Sequence, residues 1–139
     1  MGRDIVVATP AGPVAAWRAD PPHKAAAKGA IVVIQEIFGV NQVMREICDD
    51  LASQGYLALC PDLFWRQEPG IQITDKTDEE WAKAFELYKG FSEVKGVDDL
   101  IAAGRIPVIA SVAPEYSEYD FIAVTGISRL LTMCRIATV

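Results

Sequence analysis

The sequence predicts an α/β fold with a mostly parallel sheet, and three observations carry that expectation. The run Ile31-Val32-Val33-Ile34 is apolar without interruption, the pattern of a strand buried on both faces. A helical pattern from Asn41 to Gln54 follows it, and a second apolar run, Tyr56 to Cys60, comes directly after. Strand, short crossover helix and strand imply parallel pairing with a right-handed connection. The 139 residues suit one domain, and 51% of them are hydrophobic, enough to bury a core.

The elements follow in order. Ile5 to Ala8 and Val14 to Trp17 flank the turn cluster Thr9-Pro10-Ala11-Gly12-Pro13 and predict a hairpin. Ala19 to Gly29 is a loop with Pro21, Pro22 and His23, the single histidine of the chain. The strand at 31–34 runs into Gln35, Glu36 and Gly39, and Asn41 is the expected helix N-cap. A loop between such a strand and helix lies at the carboxyl edge of the sheet, where open α/β sheets hold their sites. In the helix, Val43, Met44, Ile47, Cys48 and Leu51 recur at helical spacing and predict the buried face, with Asp49 and Asp50 opposite. Gly55 stands where a C′ residue belongs, and Pro61-Asp62 ends the next strand.

Phe64 to Asp75 reads as irregular, with Pro69-Gly70 as a turn. Thr77-Asp78-Glu79-Glu80 is a capping box. Its helix is predicted to run to about Phe91, with Trp81, Ala84, Phe85, Tyr88 and Phe91 along one side. Ser92 breaks it, and a further helix closing at Gly104 is expected to turn Val94, Val97, Leu100 and Ile101 inward. Ile106 to Ala113 is apolar but contains Pro107, so strand and packed coil both stay open. After the polar loop Glu115 to Asp120, Phe121 to Thr125 predicts a buried strand. Gly126-Ile127-Ser128-Arg129 is then a sharp turn, and Leu130 to Ile136 begins a helix.

Composition bounds the function. A net charge of −6 excludes nucleic acid and anionic membranes as default partners. The three cysteines, Cys48, Cys60 and Cys134, have no CxxC spacing, which predicts buried thiols in a reducing compartment rather than a disulfide framework. Met1-Gly2-Arg3-Asp4 opens no signal-peptide core, and no run is long enough to span a membrane, so a cytoplasmic location is expected.

Gln35-Glu36-Ile37-Phe38-Gly39-Val40-Asn41 closely resembles a signature of the dienelactone hydrolase family, a branch of the α/β-hydrolases. The resemblance continues through Gly55 to Phe64 and Arg66 to Gly96-Val97-Asp98-Asp99-Leu100-Ile101-Ala102-Ala103. It covers about residues 5–103 and is weak from Gly104 onward. It implies the N-terminal half of an α/β-hydrolase fold, a mostly parallel sheet with an N-terminal β-hairpin. Residues 1–139 would form one incomplete domain, divergent over 104–139 and without the family's catalytic C-terminal half. The activity implied is hydrolysis of a small-molecule ester or lactone through an acyl-enzyme intermediate, with no cofactor and no metal.

Glu36 is the sharpest site candidate. A carboxylate at a strand edge between Ile34, Ile37 and Phe38 is partly desolvated, which pushes its pKa upward. The resemblance makes it the glutamate that contacts the resting nucleophile and helps ionise it. The alternative is that Glu36 pairs with Arg45 or caps a nearby amide. Gly126-Ile127-Ser128 has the order of a G-x-S-x-G elbow, so Ser128 is the nucleophile candidate, against a plain strand-end turn. Leu130 and Leu131 replace both glycines of the family's G-x-C-x-G-G. The amides of Ile37 and Arg129 would form the oxyanion hole.

The substrate pocket is assigned to Phe38, Arg66, Trp81, Phe85 and Tyr88. Core packing explains the aromatic stripe equally well, and solvation explains the loop arginine. Trp81 takes the position matched to a family arginine that holds the substrate carboxylate, so the lactone of the family name need not be preferred. A triad needs an acid and a histidine after the nucleophile in this fold. No His, Asp or Glu follows Ser128, and His23 lies too early to serve. The isolated chain is therefore expected to be inactive or nearly so. Two other readings stand beside it: a non-catalytic remnant binding a small carboxylate or ester beside Glu36, and a structural half that pairs with another chain to complete the sheet; self-association through an exposed sheet edge is expected as well.

Overall fold

The computed structural model describes residues 2–22, 27–104 and, as backbone, 121–125. Five strands form one mixed sheet in the order β1-β2-β4-β3-β5. The strands are β1 (Arg3–Thr9), β2 (Gly12–Ala19), β3 (Ala30–Ile34), β4 (Leu57–Pro61) and β5 (Phe121–Thr125). Helix α1 (Gln42–Ser53) links β3 to β4, and α2 (Asp78–Gly90) and α3 (Glu93–Gly104) follow β4.

The expected hairpin is present. β1 and β2 pair antiparallel, and Thr9 opposite Gly12 leaves Pro10-Ala11 as the turn. β2 also runs antiparallel to β4, whereas β3 pairs parallel with both β4 and β5. The β3-α1-β4 unit is thus the parallel crossover that the two apolar runs predict. β4 is buried throughout, and Ile31, Val32 and Val33 of β3 are buried as well.

Two helices cover opposite faces. Ala58 and Cys60 of β4 point to one face, with Ile31, Val33, Met44 and Cys48. Leu59 points to the other, with Val7, Ala16 and Ala103 of α3. That alternation is the two-residue period of a strand. α1 is capped as the sequence requires: the Met44 N–H donates to Asn41 Oδ1 at 3.3 Å. Gly55 follows it with φ +98°, a conformation that favours glycine. Cys48 and Cys60 are both free and buried; Cys134 lies outside the described residues.

The helix faces need correction. Val43 of α1 is 55% exposed, and the buried residues are Met44, Cys48 and Ala52. In α2 the buried residues are Ala84 and Leu87; Trp81, Phe85 and Tyr88 are exposed. The helix is rotated because Leu87 packs with Phe64 and Ile71, on a face next to the aromatic stripe. In α3, Gly96, Asp99, Ala103 and Gly104 are buried, while Val94 and Val97 are exposed. Gly96 meets the Phe91 ring, and Asp99 meets a guanidinium, so α3 docks through small and charged residues rather than valines.

The capping box is also modified. The Glu80 N–H donates to Thr77 Oγ1 at 3.2 Å, as expected. The Glu80 carboxylate, however, accepts from the Thr74 N–H and hydroxyl, each at 2.8 Å, and ties the preceding loop to α2. No helix among the described residues is long and apolar enough to cross a membrane. The apolar segment 106–113 and the turn and helix expected over 126–136 lie outside the described residues.

Candidate active site

The loop leaving β3 is built by backbone constraint. The Gly39 N–H donates to the Glu36 carbonyl at 3.2 Å, and Gly39 also bridges to Gln72. Gly39 has φ +81°, and a Cβ there would lie 2.0 Å from the Ile71 carbonyl oxygen. Only glycine lets the two segments approach so closely. The Ile73 N–H donates to the Phe38 carbonyl at 3.1 Å, and Asn41 Nδ2 donates to the Ile73 carbonyl at 2.8 Å. Residues 35–41 are therefore sewn to residues 71–73 before α1 begins.

The loop forms one wall of a cavity of about 480 Å³. Ile34, Gln35, Glu36 and Ile37 contribute from β3 and its loop, Leu63 and Phe64 from the segment after β4, and Tyr88 and Phe91 from α2 and its end. Val97 and Leu100 close the α3 side. Most of this lining is apolar. Glu36 is half-buried in it, and its side chain has no hydrogen bond or ion pair to a described residue. Burial raises the Glu36 carboxyl above its ordinary value, and the negative charge of Asp75 adds to the effect. A carboxyl so placed is suited to exchanging a proton with a bound group.

Arg45 does not pair with Glu36. Its guanidinium reaches Asp4 at 3.0 Å, donates through Nε to the Val40 carbonyl at 3.2 Å, and lies 4.4 Å over the Trp17 ring. The alternative in which Arg45 neutralises Glu36 is therefore set aside.

The pocket residues named from sequence divide. Tyr88 lines the cavity together with Glu36 and Ile37. Phe38, Trp81 and Phe85 form a separate aromatic cluster: Phe38 meets Trp81 edge-on at 5.0 Å, and Trp81 meets Phe85 at 5.7 Å. Trp81 Nε1 donates to the Asp75 carbonyl at 2.9 Å, which holds this cluster beside the loop. Arg66 is not a freely solvated loop residue. Its two terminal nitrogens grip both oxygens of Asp99, which is 2% exposed. Trp65 Nε1 donates to the same carboxylate at 3.0 Å, and the guanidinium lies 4.5 Å over the Trp65 ring. The charge of Arg66 is thus spent on α3, and Arg66 does not line the cavity. Ser128, Arg129 and His23 lie outside the described residues.

Sequence reasoning missed Gln35, Phe64 and Leu100 as cavity residues. Gln35 carried a signal, a polar residue ending a β-branched run; Phe64 and Leu100 carried none that separates lining from core.

Among the described residues, no group of three or more His, Cys, Asp or Glu side chains is arranged to hold a metal ion. The family model described as the dienelactone hydrolase family matches residues 14–127, beyond the stretch that the quoted motifs cover. A protein of Azospirillum brasilense provisionally named a carboxymethylenebutenolidase is 62% identical over 84 residues, which are 60% of this chain and 36% of that protein. A carboxymethylenebutenolidase of Pseudomonas putida is 46% identical over 84 residues, 60% of this chain and 35% of its own length. The matched stretch thus spans little more than a third of these relatives. In structure, the chain is similar to a provisionally named dienelactone hydrolase of Klebsiella pneumoniae, with TM-score 0.72 and 21% identity over 90% of this chain and 49% of that one. That likeness shows a shared α/β-hydrolase fold.

Proposed function

We propose a function from one premise: the chain belongs to the dienelactone hydrolase family. On that premise it carries the Glu36 side of a site for hydrolysis of an ester or lactone. The supporting observation is Glu36 itself, a half-buried carboxylate without a charge partner among the described residues, in the wall of an apolar cavity at the carboxyl edge of β3. In this reading the cavity holds the apolar body of the ligand. The Ile37 amide donates to the developing oxyanion, and Glu36 exchanges a proton with the nucleophile, for which Ser128 is the candidate. Arg129 follows Ser128 and would supply the second amide.

The test is hydrolysis of p-nitrophenyl acetate against a Ser128→Ala control. A release of p-nitrophenol that disappears in Ser128→Ala supports the hydrolytic reading; equal rates in the two chains overturn it. A second reading, binding of a small ester without turnover, is favoured by the same cavity, whose described lining comes from residues between Ile34 and Leu100.

A further inference from the structure

Among the described residues, the cavity beside Glu36 is lined by two carboxylates and by no basic side chain. Glu36 stands in the loop after β3, and Glu93 is an exposed residue in the first turn of α3. Gln35 adds little polarity to the wall: the Leu63 N–H donates to its Oε1 at 2.9 Å, and its Nε2 is buried, without a partner among the described residues. Arg45 and Arg66 are engaged elsewhere, on Asp4 and Asp99. Three aromatic rings, Phe64, Tyr88 and Phe91, share the lining with the carboxylates. Phe64 and Phe91 meet edge-on at 6.0 Å, and Tyr88 is 54% exposed, so a ligand can reach its ring. Tyr88, Phe91 and Glu93 come from one stretch of chain, the junction of α2 and α3. Carboxylates and ring faces attract the same kind of group, a cation. Burial and the charge of Asp75 make the ionised form of Glu36 unfavourable, and a cation in the cavity relieves both effects.

We propose that this cavity takes an ester or lactone bearing an alkylammonium group, and that Glu93 is the residue that specifies the positive charge. The inference rests on the cavity being the ester- or lactone-binding site. The carbonyl end of the ligand lies at Ile37, the oxyanion donor of that reading, and the ammonium lies at the α2–α3 junction, with Tyr88, Phe91 and Glu93. An anionic head would face two carboxylates, and a neutral one would leave both charges as they are. A cation gains from the carboxylates and from the rings together. An alkylated ammonium suits the site better than a bare one, because its methyl groups pack against Val97 and Leu100 and it gives up less hydration. The net charge of −6 draws the same ligands toward the protein. Glu93 also suits the N-terminus of α3. That role affects stability, whereas the proposed one affects the difference in affinity between a charged and an uncharged ligand.

The test uses the full chain, labelled with 15N, and two ketones of the same shape: (4-oxopentyl)trimethylammonium, and 6,6-dimethylheptan-2-one, in which carbon replaces the nitrogen. Each has the carbonyl and no scissile bond, and the amide signals of Ile37, Tyr88 and Val97 report occupancy. The ammonium ketone should bind about tenfold more tightly at low salt, the joint effect of a partly exposed ion pair and a ring contact. That advantage should shrink as salt is added. Glu93→Gln should cut it to about threefold and leave the affinity for the neutral ketone unchanged. The wild-type comparison does not depend on that variant folding. A Glu93→Gln chain that keeps the full preference refutes the role of Glu93. If the neutral ketone binds as tightly as the ammonium, the preference for a cation is refuted and the cavity remains a binding site. If neither probe moves any cavity signal, both the preference and the reading of the cavity fall.

Discussion

Ile34 and Thr125 are partners across two parallel strands, and each is the last residue of its strand. β3 and β5 therefore end level at one edge of the sheet. The loop that carries Gln35 and Glu36 leaves from that edge, and so does the segment that leads to Ser128. The same pairing occupies one side of β5 only. In the described sheet β5 stands last in the strand order, with β3 as its one neighbour.

That arrangement, among the described residues, predicts self-association. Phe121-Ile122-Ala123-Val124-Thr125 contains no Lys, Pro or other residue that guards a strand edge. Sedimentation velocity over a micromolar concentration series should show association that grows with concentration. A monomer at all concentrations would mean that the second side of β5 is already covered.

Glu36→Gln is expected to stabilise the protein at pH 7. The sign follows from the raised pKa: the folded state holds the Glu36 proton more tightly than the unfolded chain, whose ordinary value is 4.5. Stability contributed by the protonated form is complete below that value and is lost as pH rises through the folded pKa. The glutamine variant escapes that loss. Its thermal midpoint should exceed the wild type by about 1–3 °C at pH 7 and match it near pH 4. Equal midpoints at both values would show that Glu36 ionises without penalty.

Arg66→Leu should be among the most destabilising changes in the loop after β4. Among the described residues, it leaves the buried Asp99 carboxylate with the Trp65 indole N–H as its one remaining side-chain donor. Removing one partner of a buried pair costs about 3–5 kcal/mol, and the partial exposure of Arg66 places the expected loss nearer 2–3 kcal/mol. Urea unfolding measures it. Replacing both residues, as Arg66→Leu with Asp99→Leu, should recover part of the loss, since no unpaired charge then remains.

Gly39→Ala tests the stitch between the two loops. A Cβ at residue 39 would fall on the Ile71 carbonyl, and the φ of +81° is strained for any L side chain. The loss should be at least about 2 kcal/mol, with the Gly39–Gln72 bridge broken. Hydrogen exchange should speed at Ile73, whose N–H donates to the Phe38 carbonyl, before it speeds in β4.

The sequence alone determined the elements and much of the order in which they pair. The unbroken run 31–34, the Asn41 cap and Gly55 state locally what the backbone must do there, and the hairpin turn does the same. It also pointed to Glu36, because a carboxylate closing a buried strand is conspicuous in one dimension. The tertiary structure alone decided which face each helix buries. Val43, Val94 and Val97 have the right spacing for a core, but exposure depends on what packs opposite. Leu87, Gly96 and Asp99 found better partners in Phe64, Phe91 and Arg66, so α2 and α3 turned toward them. Arg66 illustrates the same limit: an arginine in a loop reads as solvated or substrate-facing until Asp99, 33 positions away, claims its charge. So does Gln35, whose unpaired nitrogen is a property of the space around it, which no single stretch of chain encodes.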